Sequence, residues 1–589
     1  MGDHTVTERT ATDEDRHLVR VLSALLREDV AGLRTRTTRV ERADGSWLRL
    51  PLPAGGSLTL PVEPDGFQCE LAARLPLLRH EDGGGAPSDL TTTDAVLGAL
   101  KDLADPPDRP GFDAFAEECR LSLTAELLHR DTRDEITARL SGTYGPDPAR
   151  WTDPLPFDAL AARLDHPVYP TGRGRSGLTP RQLRSYAPEF HPAFRLRWLA
   201  LPRTTVTDEG LSTTPGWPSP SELGLDRALD DDHVALPVHP LTLGRPLADA
   251  LAQRGLTGRA RLADRPHTEV VPTLSMRTVA LTGRPGVHLK LPLATATLGR
   301  LNRRTIKPGT LLDGAVCQRL LAAVTAREPR FADTVLHADE TRYAHAGHEL
   351  LAVLRRGWPD GLDGSVVVPM AALTAPEPGG ALVIDRLADR FHGGDPLALL
   401  DAVLTLLFDW QTTLFGYGIA LESHQQNISL AFDDRPGRPT LRLLFKDNDG
   451  PRIHTGRLRA ALGRDAGALT GFDDARITGG DDRPVLDLFT TITVHLCAGS
   501  CAFGLARHGR APLERLLALV RDRLGEAVER LGTRPGQPGA ALRAHVLDAA
   551  KLPVKAMVTA GTLLTKQRSG ASDINKHYTT GPNYLLRGA

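Results

Sequence analysis

Cysteine is scarce in this chain: five among 589 residues, too few for a disulfide framework. Two of them, Cys497 and Cys501 in "CAGSC", share a helix face and read as small buried side chains rather than a metal or redox pair. Charge of one sign is missing as well. The formal net charge is −1, without the basic excess of a nucleic-acid binder. No apolar run of the ~18 residues needed to span a membrane stands out. The opening "MGDHTVTERTATDEDRHLVR" mixes both charges and lacks an apolar centre, so no secretory leader is expected. Val6 stands where a myristoylation signal needs Ser or Thr. These absences predict a cytoplasmic protein with neither nucleic acid nor membrane as a partner. There is no G-x-x-x-x-G-K-[ST], no G-x-G-x-x-G opening a helix, no G-x-S-x-G and no H-E-x-x-H. A nucleotide site here must be built from side chains.

The composition that remains, 41% hydrophobic and 24% charged, is that of an ordinary globular chain, and the length implies about three or four domains. "DRHLVRVLSALLREDV" has apolar residues at helical spacing, while "GSWLRLPLP" and "GSLTLPV" alternate with period two. "EDGGGAPSD" reads as a loop before two further helices, "TTDAVLGALKDLA" and "FDAFAEECRLSLTAELLHR". A Pro- and Gly-rich region opens near "LDHPVYPTGRGRSGL", followed by strand-like "DDHVALPVHPLTL", "TEVVPTLSMRTVALTG" and "GVHLKLPLAT". In "DAVLTLLFDWQTTLFGYG", Val403, Leu407, Trp410 and Leu414 form one helical stripe that Gly416 or Gly418 would end. "TRPGQPGAA" reads as a late surface loop. Strands do not alternate regularly with helices, so the class is α+β.

Two constellations carry chemistry. "LESHQQNISL" packs Glu422, His424, Gln425, Gln426 and Asn427 between apolar segments, and buried polar groups without partners are costly. If the segment is extended, Glu422, His424 and Gln426 face one way. "TLRLLFKDNDGPRI" then delivers Asp447 at a strand end before a turn, and adjacent strands would unite Glu422, Asn427 and Asp447, oxygen donors of the kind Mg²⁺ takes. A satisfied buried network and an ordinary hairpin turn are the plainer readings. The second constellation tips the balance. "SMRT" offers Ser275, Arg277 and Thr278, and Lys290 in "HLKLPL" sits within a strand pattern where an ammonium needs an anion. "TLGRLNRRT" adds Thr297, Arg300, Arg303 and Arg304, a gathering suited to phosphates, although Arg304 and Lys307 also fit a solvated basic loop. His239, between prolines, reads as structural.

In this order, "HPVYPTGRGRSG", "YAPEFHPAFRLRWLA", "LPVHP", "SMRT", "HLKLPL", "ESHQQN", "KDNDG" and "VKAMVT" resemble the IucA/IucC family, the NRPS-independent siderophore synthetases, from about Asp165 onward. The resemblance implies a cupped-hand architecture of three parts: a thumb-like 1–175, a fingers-like 176–385 and a palm-like 386–589. It implies ATP- and Mg²⁺-dependent adenylation of citrate or a related acid, then attack by an amine or alcohol, commonly in a homodimer. Ser275, Arg277, Thr278, Lys290, Thr297, Gln426 and Asn427 would bind ATP, and Glu422 and Asp447 the metal. His166, Thr171, Arg173, Arg175 and His424 would face the carboxylate substrate, and His424, Arg303 and Lys555 would act in catalysis. The chain departs from the family pattern at Tyr169, in place of a second His, at Arg173, in place of a Lys, and at Lys446, where an Arg commonly precedes the metal Asp. The alternatives are a kinase-like phosphotransferase, since Lys290, His424, Asn427 and Asp447 follow a kinase-like order, and a binding protein without turnover.

Overall fold

In the computed structural model of the chain, which describes residues 11–82, 86–438, 440–463, 465–569 and 577–588, helices and strands mix without regular alternation, the α+β class expected. The first ten residues of the leader reading and the tip of the glycine-rich loop, 83–85, lie outside the described residues. The first helix, Asp13–Arg27, starts at a capping box. The Thr12 hydroxyl accepts the Asp15 N–H at 3.1 Å, and the Asp15 carboxylate accepts the Thr12 N–H at 2.9 Å. Its apolar face, with Leu18, Val21, Leu22 and Leu25, is buried against a six-stranded antiparallel sheet built on Gly45–Pro51 and Ser57–Pro64, the two period-two runs.

The middle of the chain forms a nine-stranded antiparallel sheet. At its centre lie His267–Pro272, Thr278–Leu281, Arg284–Lys290, Ala352–Gly357 and Asp339–His345, around a core that includes Leu196, Leu236, Val279 and Val353. A four-stranded sheet runs in the order Val335–His337, Leu441–Phe445, Ile428–Phe432, Val366–Pro369. Helix Pro396–Gly416 backs it, with Val403, Leu407, Trp410 and Leu414 fully buried. The helix stops where expected. Gly418 has φ +82°, and a Cβ there would lie 2.8 Å from the His454 carbonyl.

Two helical stretches, Pro396–Gly416 and Arg483–Arg507, are long and apolar enough to cross a membrane, contrary to the sequence reading. Most of each is buried within the fold, as core helices are.

The two sheets meet at one step of chain. Val335–His337 pairs parallel with Leu441–Phe445, and the Ala338 N–H bonds the Phe445 carbonyl at 2.9 Å. The next strand, Asp339–His345, already belongs to the nine-stranded sheet. A cavity of about 230 Å³ opens at this junction.

Candidate active site

One wall of the cavity comes from the nine-stranded sheet. Thr278 lies opposite Lys290 and Lys290 opposite Leu354, while His288 lies opposite Arg356. Opposed residues share a face, so Thr278, Lys290 and Arg356 look the same way. Lys290 is 4% exposed, and its ammonium bonds the Asp447 carboxylate and stands 3.2 Å from Asp449. A buried ammonium is tolerated only with such company. Arg356, also buried, pairs with Glu340 and reaches Asp447 at 3.3 Å. Arg277 donates to the Thr305 carbonyl at 2.6 Å, while its buried Nε has no hydrogen-bond partner. Ser275 closes a turn onto the Thr278 N–H at 2.9 Å and lines the cavity beside Thr273.

The other wall is the segment that packs polar groups together. It is a tight turn between Ile419–Ala420 and Ile428–Phe432, with His424 N–H on the Glu422 carbonyl at 2.9 Å and Asn427 N–H on the His424 carbonyl at 2.7 Å. Glu422, His424, Gln426 and Asn427 line the cavity, while Ser423 is buried and Gln425 accepts from Ser500 behind it at 3.2 Å. Asp447 follows the neighbouring strand with φ +62°, a left-handed conformation that an Asp tolerates better than most residues. Its N–H bonds the Glu340 carboxylate at 2.9 Å. Burial works to raise Asp447, but Lys290, Arg356 and Arg277 outweigh it and hold the carboxyl well below the usual range. Asp449, buried beside the charged Asp447, is pushed up.

At the far end stand His166, His424, Lys555, Leu298, Leu496 and Met557. Lys555, on Lys551–Lys555, is 3.6 Å from Glu422. His166 Nδ1 accepts the Tyr169 N–H at 2.9 Å, and His424 Nδ1 accepts the Gln426 N–H at 3.3 Å. A neutral ring whose Nδ1 accepts carries its proton on Nε2. Burial pushes His166 down to about 3 and His424 down to about 4, so both rings are neutral donors near pH 7.

Several expected residues lie elsewhere. Arg303 is turned outward, its side chain 61% exposed and 3.1 Å from Glu349. Arg303 bridges Ala296, and Arg304 exchanges backbone hydrogen bonds with Thr295 and Leu293. Adjacent residues of an extended segment point oppositely. Arg304 therefore enters the cavity, where burial and Arg277 lower it to about 9, and it is not the solvated residue expected. Thr297 braces its loop through its N–H on the Asn302 carbonyl at 3.3 Å, outside the cavity lining. Arg300 is exposed, and its N–H bonds Thr562. Thr171 bonds buried Glu118 at 3.3 Å. Arg173 is spent on His129 at 2.6 Å, the Arg163 carbonyl at 2.5 Å and Asp165 at 2.9 Å, and Arg175 on the Arg173 carbonyl and Glu189. Of the expected acid-facing set, His166 and His424 line the cavity. Sequence reasoning missed Glu340, Arg356, Asp449 and the role of Lys446. Ionisable residues inside apolar strand patterns, as in "AVLRRG" and "LLFKD", were the available signal.

Five cations line the cavity, Arg277, Arg304, Arg356, Lys446 and Lys555, against the three carboxylates Glu422, Asp447 and Asp449. The buried Nε of Arg277 and the excess of cations suit a polyphosphate. Among the described residues no group of three or more His, Cys, Asp or Glu forms a metal cage. One or two carboxylates completed by phosphate oxygens and water are what Mg²⁺ takes, so the donor set fits an ion that arrives with a nucleotide. A larger depression, about 1120 Å³, lies between the N-terminal helices and loop 376–380, and its wall charges are of both signs.

Residues 157–375 match the IucA / IucC family, and residues 398–570 match the family described as ferric iron reductase FhuF-like transporter. Staphyloferrin B synthase of Staphylococcus aureus (strain NCTC 8325 / PS 47) is 26% identical over 321 residues, 50% of this chain, and the chain spans 54% of that relative's length. Two solved structures share the fold over 97% of the chain. Petrobactin biosynthesis protein AsbB from Bacillus anthracis str. Sterne has a TM-score of 0.72 at 16% identity, covering 96% of its own chain. ATP-bound aerobactin synthetase IucA from a hypervirulent pathotype of Klebsiella pneumoniae has a TM-score of 0.70 at 19% identity, covering 99%.

Proposed function

We propose that the chain is a siderophore synthetase of the IucA/IucC kind, whose family model matches residues 157–375, and that it joins a citrate-like carboxylic acid to an amine or alcohol, consuming ATP and releasing AMP and pyrophosphate. The observation that carries this reading is the convergence of Arg277, Thr278 and Lys290 from one sheet with Glu422, His424, Asp447 and Lys555 from the C-terminal third, around a cavity with surplus positive charge. In the first step a carboxylate oxygen attacks the α-phosphorus and the bond to the leaving pyrophosphate breaks. Arg277, Arg304, Arg356 and Lys290 neutralise the phosphates, and their fixed positions need little reorganisation as charge moves. Glu422 and Asp447 would hold Mg²⁺, which when bound adds neutralisation of the leaving group. Lys555 and the Nε2–H groups of His166 and His424 receive the acid's carboxylates. In the second step the same donors are suited to the oxyanion formed when the nucleophile adds to the acyl-adenylate.

Product analysis tests this. Incubation with MgATP, a panel of di- and tricarboxylic acids, and polyamine or hydroxylated amine acceptors should give AMP and pyrophosphate in step with amide or ester. ADP as the nucleotide product would overturn the reading in favour of a kinase. Lys290, His424, Asn427 and Asp447 do keep a kinase-like order, but the His424 loop carries no aspartate to act as base. Neither product from any acid would leave a binding protein. The pairing of two copies is part of the same proposal and is checked by sedimentation velocity.

A further inference from the structure

Lys446 stands between Asp447 and the end of strand Leu441–Phe445, whose five positions are all buried. It is itself 8% exposed and lines the cavity. Among the described residues its ammonium makes no hydrogen bond or ion pair, and the residue as a whole is more than nine-tenths buried against the cavity. An ammonium in that condition is costly unless an anion meets it. Lys446 adjoins Asp447 in the chain, the carboxylate that Lys290 bonds and that Arg356 reaches at 3.3 Å. The strongest favourable influence is Asp158, on helix Leu155–Ala162. That carboxylate is 5% exposed, and its Oδ1 has no hydrogen-bond partner. Among the described residues no ion pair joins Asp158 to Lys446.

We propose that Lys446 is a phosphate-binding residue of the nucleotide site. This rests on the ligase reading given above and adds a third strand to it. The phosphates are gripped from the four-stranded sheet as well as from the nine-stranded one, so the two sheets close on the same anion. A carboxylate of the acid substrate would offer the same anionic oxygen, and the two sources separate experimentally.

The test uses the full-length protein and isothermal titration calorimetry with MgATP alone, then with citrate alone. Lys446→Met should weaken MgATP at least tenfold and leave citrate binding within twofold. It should also leave the melting temperature of the ligand-free protein unchanged or higher, because an unpaired buried charge has gone. Lys446→Arg should keep MgATP affinity within about threefold. Wild-type MgATP affinity in Lys446→Met, or a loss confined to citrate, overturns this proposal alone. A wild-type protein that binds no MgATP overturns the ligase reading and this proposal together. If Lys446→Met fails to fold, Lys446→Gln and Lys446→Arg are compared in its place, and equal MgATP affinity in those two overturns it.

Discussion

Two regions of this molecule gather buried charge, and in sequence they look alike. One is the knot of His129, Arg163, Arg173, Arg175 and Glu189. There burial works to raise Glu189, but Arg175 and His129 carry it down to about 2. Arg173 and Arg175 spend their donors on His129, on main-chain carbonyls and on acids. The other is the cavity, where Arg304 and Lys446 find no such partners among the described residues and five cations face three carboxylates. Charge answered inside the protein is structure, and charge left over at a cavity is a demand for a ligand. That difference is why Arg173 and Arg175, expected to face the acid, are paired within the protein instead, and why the proposed chemistry is assigned to the cavity.

The comparison can be broken from either side. Lys290→Met should abolish pyrophosphate release, by about 1000-fold. It should also destabilise the fold by roughly 3 kcal/mol, because Asp447 and Asp449 are left facing each other. Measured turnover above a tenth of wild type would remove Lys290 from the mechanism. His424→Ala should retain the fold and lose about 100-fold in turnover, since it removes one donor to developing charge; near-normal rates would exclude it. In the knot the pattern reverses. Arg175→Met should cost about 3 kcal/mol of stability in chemical denaturation while the KM for the acid stays put, and a raised KM at unchanged stability would return Arg175 to the substrate. Arg304→Ala should raise the KM for ATP about tenfold, whereas Arg303→Ala, at a solvated pair, should change it less than twofold.

The smallest effect is a pH dependence set by buried histidines. Burial pushes His239 down to about 3, and His337 and His495 down to about 4. Below the unfolded value of ~6.5 the unfolded chain takes up protons that the folded chain refuses, so stability complete above about pH 7 is lost as pH falls from 6.5 toward 4. Glu189, held at about 2 in the fold against an ordinary carboxylate value of 4.5, adds its own loss only once pH falls below about 5. A melting temperature flat between pH 7 and 4.5 would contradict the assignment.

Much of the site was legible because periodicity does two jobs at once. The alternation in "TLRLLFKD" placed Asp447 at a strand end, and the apolar neighbours of Lys290 marked its burial. Both follow from side-chain direction in a strand, which sequence carries. The arginine of "LNRRT" was not legible, because a one-residue difference in a loop exchanges the inward and outward faces. The parity there is set by Gly299, at φ +113°, whose Cβ would come within 3.0 Å of the Gly561 backbone, a contact between residues far apart in sequence. The widened helical turns at Phe489–Gly499 and Thr559–Leu563 were hidden for the same reason. Packing makes them, and a Cβ on Gly499 would meet the Tyr584 hydroxyl at 2.3 Å.

Because residues 335–345 run unbroken from one sheet into the other, the two walls are welded along a shared rail and do not hang from separate hinges. Inserting a single residue beside Ala338 would slide Glu340 by about 3.3 Å and swing it to the opposite side of its strand. Arg356 and the Asp447 amide would be stranded together, and the alignment of the whole vise would be lost without touching any residue that meets substrate.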